Sequence, residues 1–208
     1  MIKAIIFDVD GVLVDSQNSN VAFFQKLLSK FGYTDVTREH VLECFHLPML
    51  QTIEKLTGLK DPSEIQRIFD LGSSDMSLRD SSLLDFPEKL EESLEHLHKK
   101  YKLAIVTGRI RNGVDSIFSE RAIGHLFSEV VAYEDYSNPK PHPEPLLVAA
   151  QKLGIKPREA VYVGDSPSDI ASAKAANMKS IYLSPEAHID ATGNVVEFKN
   201  LLEAIEQL

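Results

Sequence analysis

The chain has 208 residues, 43% hydrophobic and 25% charged, which suits one substantial core plus a smaller second lobe and excludes disorder as the default. A formal net charge of −9 argues against a nucleic-acid surface, which needs clustered Lys and Arg, but leaves room for a small anionic ligand held by local cations. Cys44 is the only cysteine, so an intrachain disulfide and a cysteine-rich zinc site are both excluded.

The opening run Ile2, Ala4, Ile5, Ile6, Phe7 is β-prone and lacks polar alternation, as expected of a strand covered on both faces in a parallel sheet. It is too short for a secretory signal and is interrupted by Asp8, and no stretch approaches the ~20 apolar residues of a membrane span. A cytoplasmic protein is expected. Ser16 is placed to cap a helix carrying Val21, Phe24, Leu27, Leu28 and Phe31, ending at Gly32. Further short helices are predicted over Thr37 to Phe45, Leu50 to Leu56 and Pro62 to Leu71, with no strand between Ser16 and Leu84. This all-helical stretch reads as an insertion that returns through the polar segment Ser73 to Asp85.

From Pro87 onward helix and strand alternate. Pro87 opens a predicted helix bearing Leu90, Leu94 and Leu97, and Lys102 to Val106 reads as a buried strand ending at Thr107. A helix through Val114, Ile117 and Phe118 follows, then a strand Glu129 to Ala132 and a polar loop through Lys140. Pro143 to Leu153 is helical and stops at Gly154; Ala160 to Val163 is a strand leading to Gly164 and Asp165. A helix to about Asn177, a strand Ser180 to Leu183 and an amphipathic helix through Val196, Leu201, Leu202 and Ile205 complete the pattern. Such alternation implies right-handed crossovers, hence an α/β fold with a Rossmann-like parallel sheet and helices on both faces.

Asp8 and Asp10 stand one residue apart beyond the first strand, followed by Gly11. Two carboxylates this close repel when both ionise in a partly dry site, and a hard cation such as Mg²⁺ offsets the repulsion. Gly11 permits a tight turn that turns amide groups towards an anion. The same string also suits calcium loops and ordinary turns. Polar residues close three more strands: Thr107 with Gly108, Lys140 before Pro141, and Asp165 with Asp169 in GDSPSD. In a parallel sheet all these ends share one edge, so the groups can converge, although Thr107, Asp165 and Asp169 also suit helix capping and Lys140 a solvated loop.

Taken in order, DVDGVLVDS, the Thr107 strand end, KPHPEP and GDSPSD resemble the four motifs of the haloacid dehalogenase superfamily of phosphatases, with the helical insertion in the position of that family's cap, as in its phosphoglycolate phosphatase and β-phosphoglucomutase branch. The resemblance implies a core of residues 1–15 and 86–208 with a helical cap domain at 16–85. It implies Asp8 as nucleophile and Asp10 as general acid and base. By the same resemblance Thr107, Gly108, Gly11 and Lys140 would bind the phosphate, with Thr107 and Lys140 counted among the catalytic residues. It further implies Mg²⁺ held by the Asp8 and Asp165 carboxylates and the Asp10 carbonyl, with Asp169 in support through water or Lys140. Arg109 and Arg111 follow the phosphate threonine and could touch substrate, but read mainly as exposed helix-start residues, and His142 reads as a loop residue rather than a metal ligand. Asn18, Asn20, His46 and Lys55 are candidates for contacting the leaving group. An aspartate at position 10 separates phosphatases from the dehalogenase and phosphonate-cleaving branches. Phe45 to Met49 lacks the Gly and Arg pair usual in the mutases, so a phosphatase acting on a small phosphorylated metabolite ranks first. A sugar-phosphate mutase and a non-catalytic phosphate-binding module are the alternatives, and the implied assembly is a monomer or homodimer.

Overall fold

The computed structural model describes residues 1–188 and 190–208. Six parallel strands form one sheet in the order β3-β2-β1-β4-β5-β6: β1 (Ala4–Phe7), β2 (Lys102–Val106), β3 (Phe127–Val131), β4 (Ala160–Gly164), β5 (Lys179–Leu183) and β6 (Gly193–Val195). Strands β2 and β3 lie on one side of β1 and β4 to β6 on the other, so the winding direction reverses at β1. A crevice opens beyond the carboxyl ends of the strands at such a reversal, and Asp8 is the first residue into it.

The strands are apolar on both faces because both are covered. Ile5, Phe7, Leu103, Ile105, Val161 and Val163 point to one side, against α5 (Leu90–His98), α6 (Arg111–Arg121) and α9 (Leu201–Glu206). Ala4, Ile6, Ala104, Val106, Ala160 and Tyr162 point to the other, against α7 (Glu144–Leu153) and α8 (Pro167–Ala175). The second face is rich in alanine, which lets its two helices lie close to the sheet.

Between β1 and α5 the chain forms α1 (Gln17–Ser29), α2 (Arg38–Leu42), α3 (Met49–Thr57), α4 (Pro62–Ser74) and two single 3₁₀ turns, Met76–Leu78 and Ser81–Leu83. These helices bury their own apolar cluster, which includes Phe23, Leu27, Leu28, Ile53 and Ile68. The segment leaves and rejoins the sheet at one point: Asp15 N–H donates to the Asp85 carbonyl at 2.7 Å and Asp85 N–H to the Asp15 carbonyl at 3.0 Å. Among the described residues no helix is long and apolar enough to cross a membrane.

Three local expectations differ from the structure. Pro87 does not open α5, which begins at Leu90 because Lys89 adopts a left-handed φ of 58° that interrupts the helical path. The helix expected through Val196 is instead the short strand β6 followed by a 3₁₀ turn and α9; the three residues Gly193, Asn194 and Val195 carry too little alternation to announce a strand. Ser16 precedes α1 but makes no capping bond, because its hydroxyl turns to Asp10. Asn177, with φ 55°, takes the left-handed position after α8 as its residue type suggests.

Candidate active site

The sheet brings the expected strand-end residues into one crevice. Asp8 continues β1, its N–H donating to the Val163 carbonyl of β4 at 2.9 Å, while Thr107 closes β2 with its N–H on the Val131 carbonyl at 3.0 Å. Lys140 reaches in from the loop after β3. Its Nζ lies 3.0 Å from Asp8 Oδ2, 2.6 Å from Asp169 Oδ1 and 2.9 Å from the Tyr162 hydroxyl. Ser166 and Asp169 start α8 as a reciprocal cap: Asp169 N–H donates to the Ser166 hydroxyl at 3.2 Å, and Ser166 N–H donates to Asp169 Oδ2 at 3.0 Å. Capping therefore falls to Ser166 and Asp169 and leaves Asp165 free to face Asp8.

Gly11 is indispensable to this packing. Its φ is +75°, and a Cβ there would stand 1.7 Å from Asp165 Oδ2. Its N–H donates to the Val14 carbonyl at 2.8 Å, a bond within the loop itself. Bonds to the Val9 and Val14 carbonyls hold the loop, and the Asp10 carbonyl takes part in none of them. Thr107 is fully buried; its Oγ1 accepts from Arg109 N–H at 3.2 Å and its carbonyl from the Tyr136 hydroxyl at 3.1 Å. Gly108 lines the cleft.

The four aspartates fall into two pairs. Asp10 and Asp169 are fully supplied with donors. Burial alone opposes their ionisation, but Arg109 and Ser16 around Asp10, and Lys140 and Ser166 around Asp169, hold both carboxyls below the usual range. Arg109 grips Asp10 through Nε to Oδ2 at 2.8 Å and Nη2 to Oδ1 at 2.5 Å, and the Ser16 hydroxyl donates to the same Oδ1. Asp8 and Asp165 are short of donors. Burial, the dominant cause, pushes Asp8 up to about 7 against the pull of Lys140, and burial with the charges of Asp8 and Asp169 pushes Asp165 up to about 8. The Oδ1 atoms of both are sealed from solvent with no hydrogen-bond partner.

Unpartnered buried carboxylate oxygens call for a proton or a cation. Ligand atoms of Asp8, Asp165 and Asp169 lie within 4.8 Å of one another, an all-oxygen set suited to a hard divalent ion such as Mg²⁺. Because both Asp169 oxygens already accept hydrogen bonds, the free coordinating capacity lies on Asp8 and Asp165.

Helices α1 and α3 and the loop between α2 and α3 roof a cleft over these groups. Phe23, Phe24, Phe45, Leu47 and Met49 line it from above. Of the four candidates for contacting a leaving group, Asn20 and His46 line the cleft, and burial holds the His46 imidazole below its ordinary pKa. The other two are engaged elsewhere: Asn18 accepts from Arg38 at 2.7 Å and Lys55 donates to the Glu43 carbonyl at 3.3 Å. His142 is a loop residue beside Glu144, as expected. Arg109 departs from its expectation. It is a cleft residue with only 14% of its side chain exposed, whereas Arg111 pairs with Asp135 at the start of α6. Sequence reasoning also passed over Ser16, Tyr162 and Arg79. A tyrosine among aliphatics in AVYVG is a detectable sign of an inward polar tip; Arg79, in a polar return segment, carries no periodic signal at all.

The comparisons agree with this architecture. A family model described as haloacid dehalogenase-like hydrolase matches residues 5–183. A protein of Bacillus velezensis named pyrophosphatase PpaX is 32% identical over 182 residues, covering 86% of this chain and 82% of that one. Among solved structures, a HAD-superfamily hydrolase of subfamily IA from Geobacter sulfurreducens aligns with a TM-score of 0.72 at 28% identity, covering 97% of this chain and 95% of that one. A β-phosphoglucomutase from Clostridium difficile shares the fold with a TM-score of 0.84 at 21% identity, covering 100% and 96%. On the extent of the family match and the identity to the Bacillus protein, the chain belongs to the haloacid dehalogenase-like hydrolases, as a phosphatase-type enzyme.

Proposed function

We propose that the chain is a Mg²⁺-dependent phosphatase that removes the phosphoryl group of a small metabolite through an aspartyl phosphate on Asp8, with residues 16–85 acting as a cap over the cleft. The observation that carries the reading is the inequality of the aspartates. Asp8 keeps an uncommitted oxygen at the first strand end, beside the Lys140 ammonium, while Asp10 stands next to it in a separate hydrogen-bond system.

In this reading an Asp8 carboxylate oxygen attacks phosphorus and the bond to the leaving oxygen breaks, which divides one hard displacement into two easier ones. Lys140 favours the ionised form of Asp8 and meets the negative charge of the transferring group, and the Thr107 hydroxyl and Gly108 amide orient its oxygens. Asp8 and Asp165 would hold the Mg²⁺, which when bound would supply further neutralisation of that charge. Asp10 gives a proton to the departing oxygen and later takes one from the attacking water. Clamped by Arg109 and Ser16 it is a carboxylate, suited to the second task; the first requires Arg109 to loosen its hold. An assembled set of this kind has no purpose in a passive phosphate-binding module.

The test is phosphate release from an aryl phosphate ester and a panel of metabolite phosphates, with Mg²⁺ and with chelator. The relatives named pyrophosphatase put pyrophosphate on that panel. Turnover is expected only with metal, and Asp8→Asn should lower it at least about a thousandfold, the scale of losing a nucleophile. Absence of release, or an Asp8→Asn variant indistinguishable from wild type, overturns the reading.

A further inference from the structure

Arg79 lies in the segment that leads from the helices back to the sheet, and it lines the cleft together with Arg109. Among the described residues it forms no ion pair. Its Nε is sealed from solvent and without a partner, and among the described residues its side chain makes one hydrogen bond, a long one, 3.4 Å from Nη2 to the Gly72 carbonyl. The adjacent acid, Asp80, turns away to bind Ser82. The Phe23 ring, 5.0 Å from the guanidinium carbon, steadies the side chain without neutralising it. Burial and the neighbouring charge of Arg109 lower its pKa to about 10, as expected of a cation placed where it lacks its counter-charge.

The two arginines converge. Nη1 of Arg79 and Nη1 of Arg109 lie 3.7 and 3.8 Å from the point where a Cβ on Gly113 would stand. Arg109 spends Nε and Nη2 on Asp10 and Asn20, and its Nη1 is in neither set of bonds. Two guanidinium groups thus lie near one spot, while among the described residues Asp10 is the only carboxylate paired with either. A buried, partly unpaired cation beside a second cation is costly unless an anion joins it. The reacting phosphoryl group does not fill that need, since Lys140, Thr107 and Gly108 are its partners.

We propose that Arg79 selects the leaving group: with Nη1 of Arg109 it binds an anionic group, a second phosphate or a carboxylate, on the part of the substrate that departs. The proposal rests on the phosphatase reading and narrows its substrates to phosphoryl compounds with a second negative centre. A planar guanidinium fork matches either anion in two-point fashion, which a lysine does not.

The test uses binding, so that it does not depend on turnover. Methylenediphosphonate, phosphonoacetate and methylphosphonate are titrated calorimetrically into the Mg²⁺-loaded protein. The first carries a second phosphate-like group, the second a carboxylate and the third neither. At least one of the first two is expected to bind at least about tenfold more tightly than methylphosphonate, the scale of a charge-assisted hydrogen-bond pair. Whichever does so identifies the anion. Arg79→Gln should cut that advantage to less than about threefold and Arg79→Lys should restore part of it, with circular dichroism showing both variants folded. Equal binding of the three probes by wild type, or an advantage that survives in folded Arg79→Gln, overturns the proposal. A preserved advantage in a protein that hydrolyses no phosphate ester would instead overturn the phosphatase reading and leave the anion site standing.

Discussion

The floor and the roof of the cleft handle charge in opposite ways. The floor, at the strand ends, gathers Asp8, Asp10, Asp165 and Asp169 around Lys140 and Arg109, and the uncommitted oxygens belong to Asp8 and Asp165. The roof, built from inserted helices, offers rings and aliphatic chains, with Asn20, His46, Thr52 and Arg79 among its polar exceptions. The floor is an electrostatic device that a mutation breaks by leaving a charge alone. The roof is a shaped surface that a mutation alters by moving a contact. Damage to the floor should therefore abolish turnover of every substrate, and damage to the roof should re-rank substrates.

The strongest way to break that division is Lys140→Ala. Lys140 is the shared counter-ion of Asp8 and Asp169, with 11% of its side chain exposed. Removing one partner of a buried charge cluster costs roughly 3–5 kcal/mol, and losing charge stabilisation at the phosphoryl group costs about a hundredfold or more in turnover. Thermal unfolding and kcat on several phosphate esters check both, and the loss in kcat should be similar for all of them. A strongly substrate-dependent loss would assign Lys140 to leaving-group recognition and dissolve the distinction.

Gly11→Ala strikes the same floor without removing a charge. The new methyl group would overlap Asp165 and sit on a backbone with φ +75°, for a strain of about 1–3 kcal/mol. Because Asp165 must move, affinity for Mg²⁺ is expected to fall about 10- to 100-fold, as when the support of a ligand is lost. Calorimetric titration with Mg²⁺ decides it; unchanged affinity would mean that Asp165 is not a ligand.

Metal removal sharpens the comparison through pH. In the metal-free protein Asp8 rises from its ordinary 3.8 to about 7 and Asp165 to about 8. The folded state thus holds protons that the unfolded chain has already released, so the metal-free protein is expected to lose stability as pH climbs from near 4 through 8. Mg²⁺ should offset this most where both groups want to ionise. At a hundred times its Kd a ligand contributes about 2.7 kcal/mol, so the melting temperature should rise by several degrees at pH about 8 and by less at pH about 5. A larger rise at the acid end would be inconsistent with a cation between Asp8 and Asp165.

The same contrast explains what was legible in the sequence. The floor could be read because β1, β2 and β4 are runs of buried residues that give way to Asp8, Thr107 and Asp165, and a parallel sheet aligns those ends without further information. Lys140 and Asp169 join them from the loop after β3 and the first turn of α8. The roof could be recognised as helical but not read, since cleft residues such as Arg79 and His46 reach the site from turns whose approach angle depends on tertiary packing. Ser16 shows the limit within the floor itself. A serine before a helix has two competing acceptor and donor roles, and only the fold reveals that a nearby carboxylate, Asp10, takes its hydroxyl.

The gentlest probe of the roof is Thr52→Val. Thr52 is fully buried on α3, and its hydroxyl reaches the Leu47 and Pro48 carbonyls at 3.3 and 3.2 Å, tying down the loop that presents Phe45, His46 and Leu47 to the cleft. Valine keeps the shape and β-branching but leaves those carbonyls without this donor, at a cost of about 1 kcal/mol. The loop should then sample more positions over the departing group while the floor is untouched. KM is expected to rise a few-fold, by different factors for different metabolite phosphates, with kcat on an aryl phosphate near the wild-type value. That split is the signature of a contact made equally in the ground and transition states. A uniform fall in kcat with constant KM would instead make the loop part of the chemistry, since it would show that the roof's position governs proton transfer at Asp10 as well as the fit of what leaves.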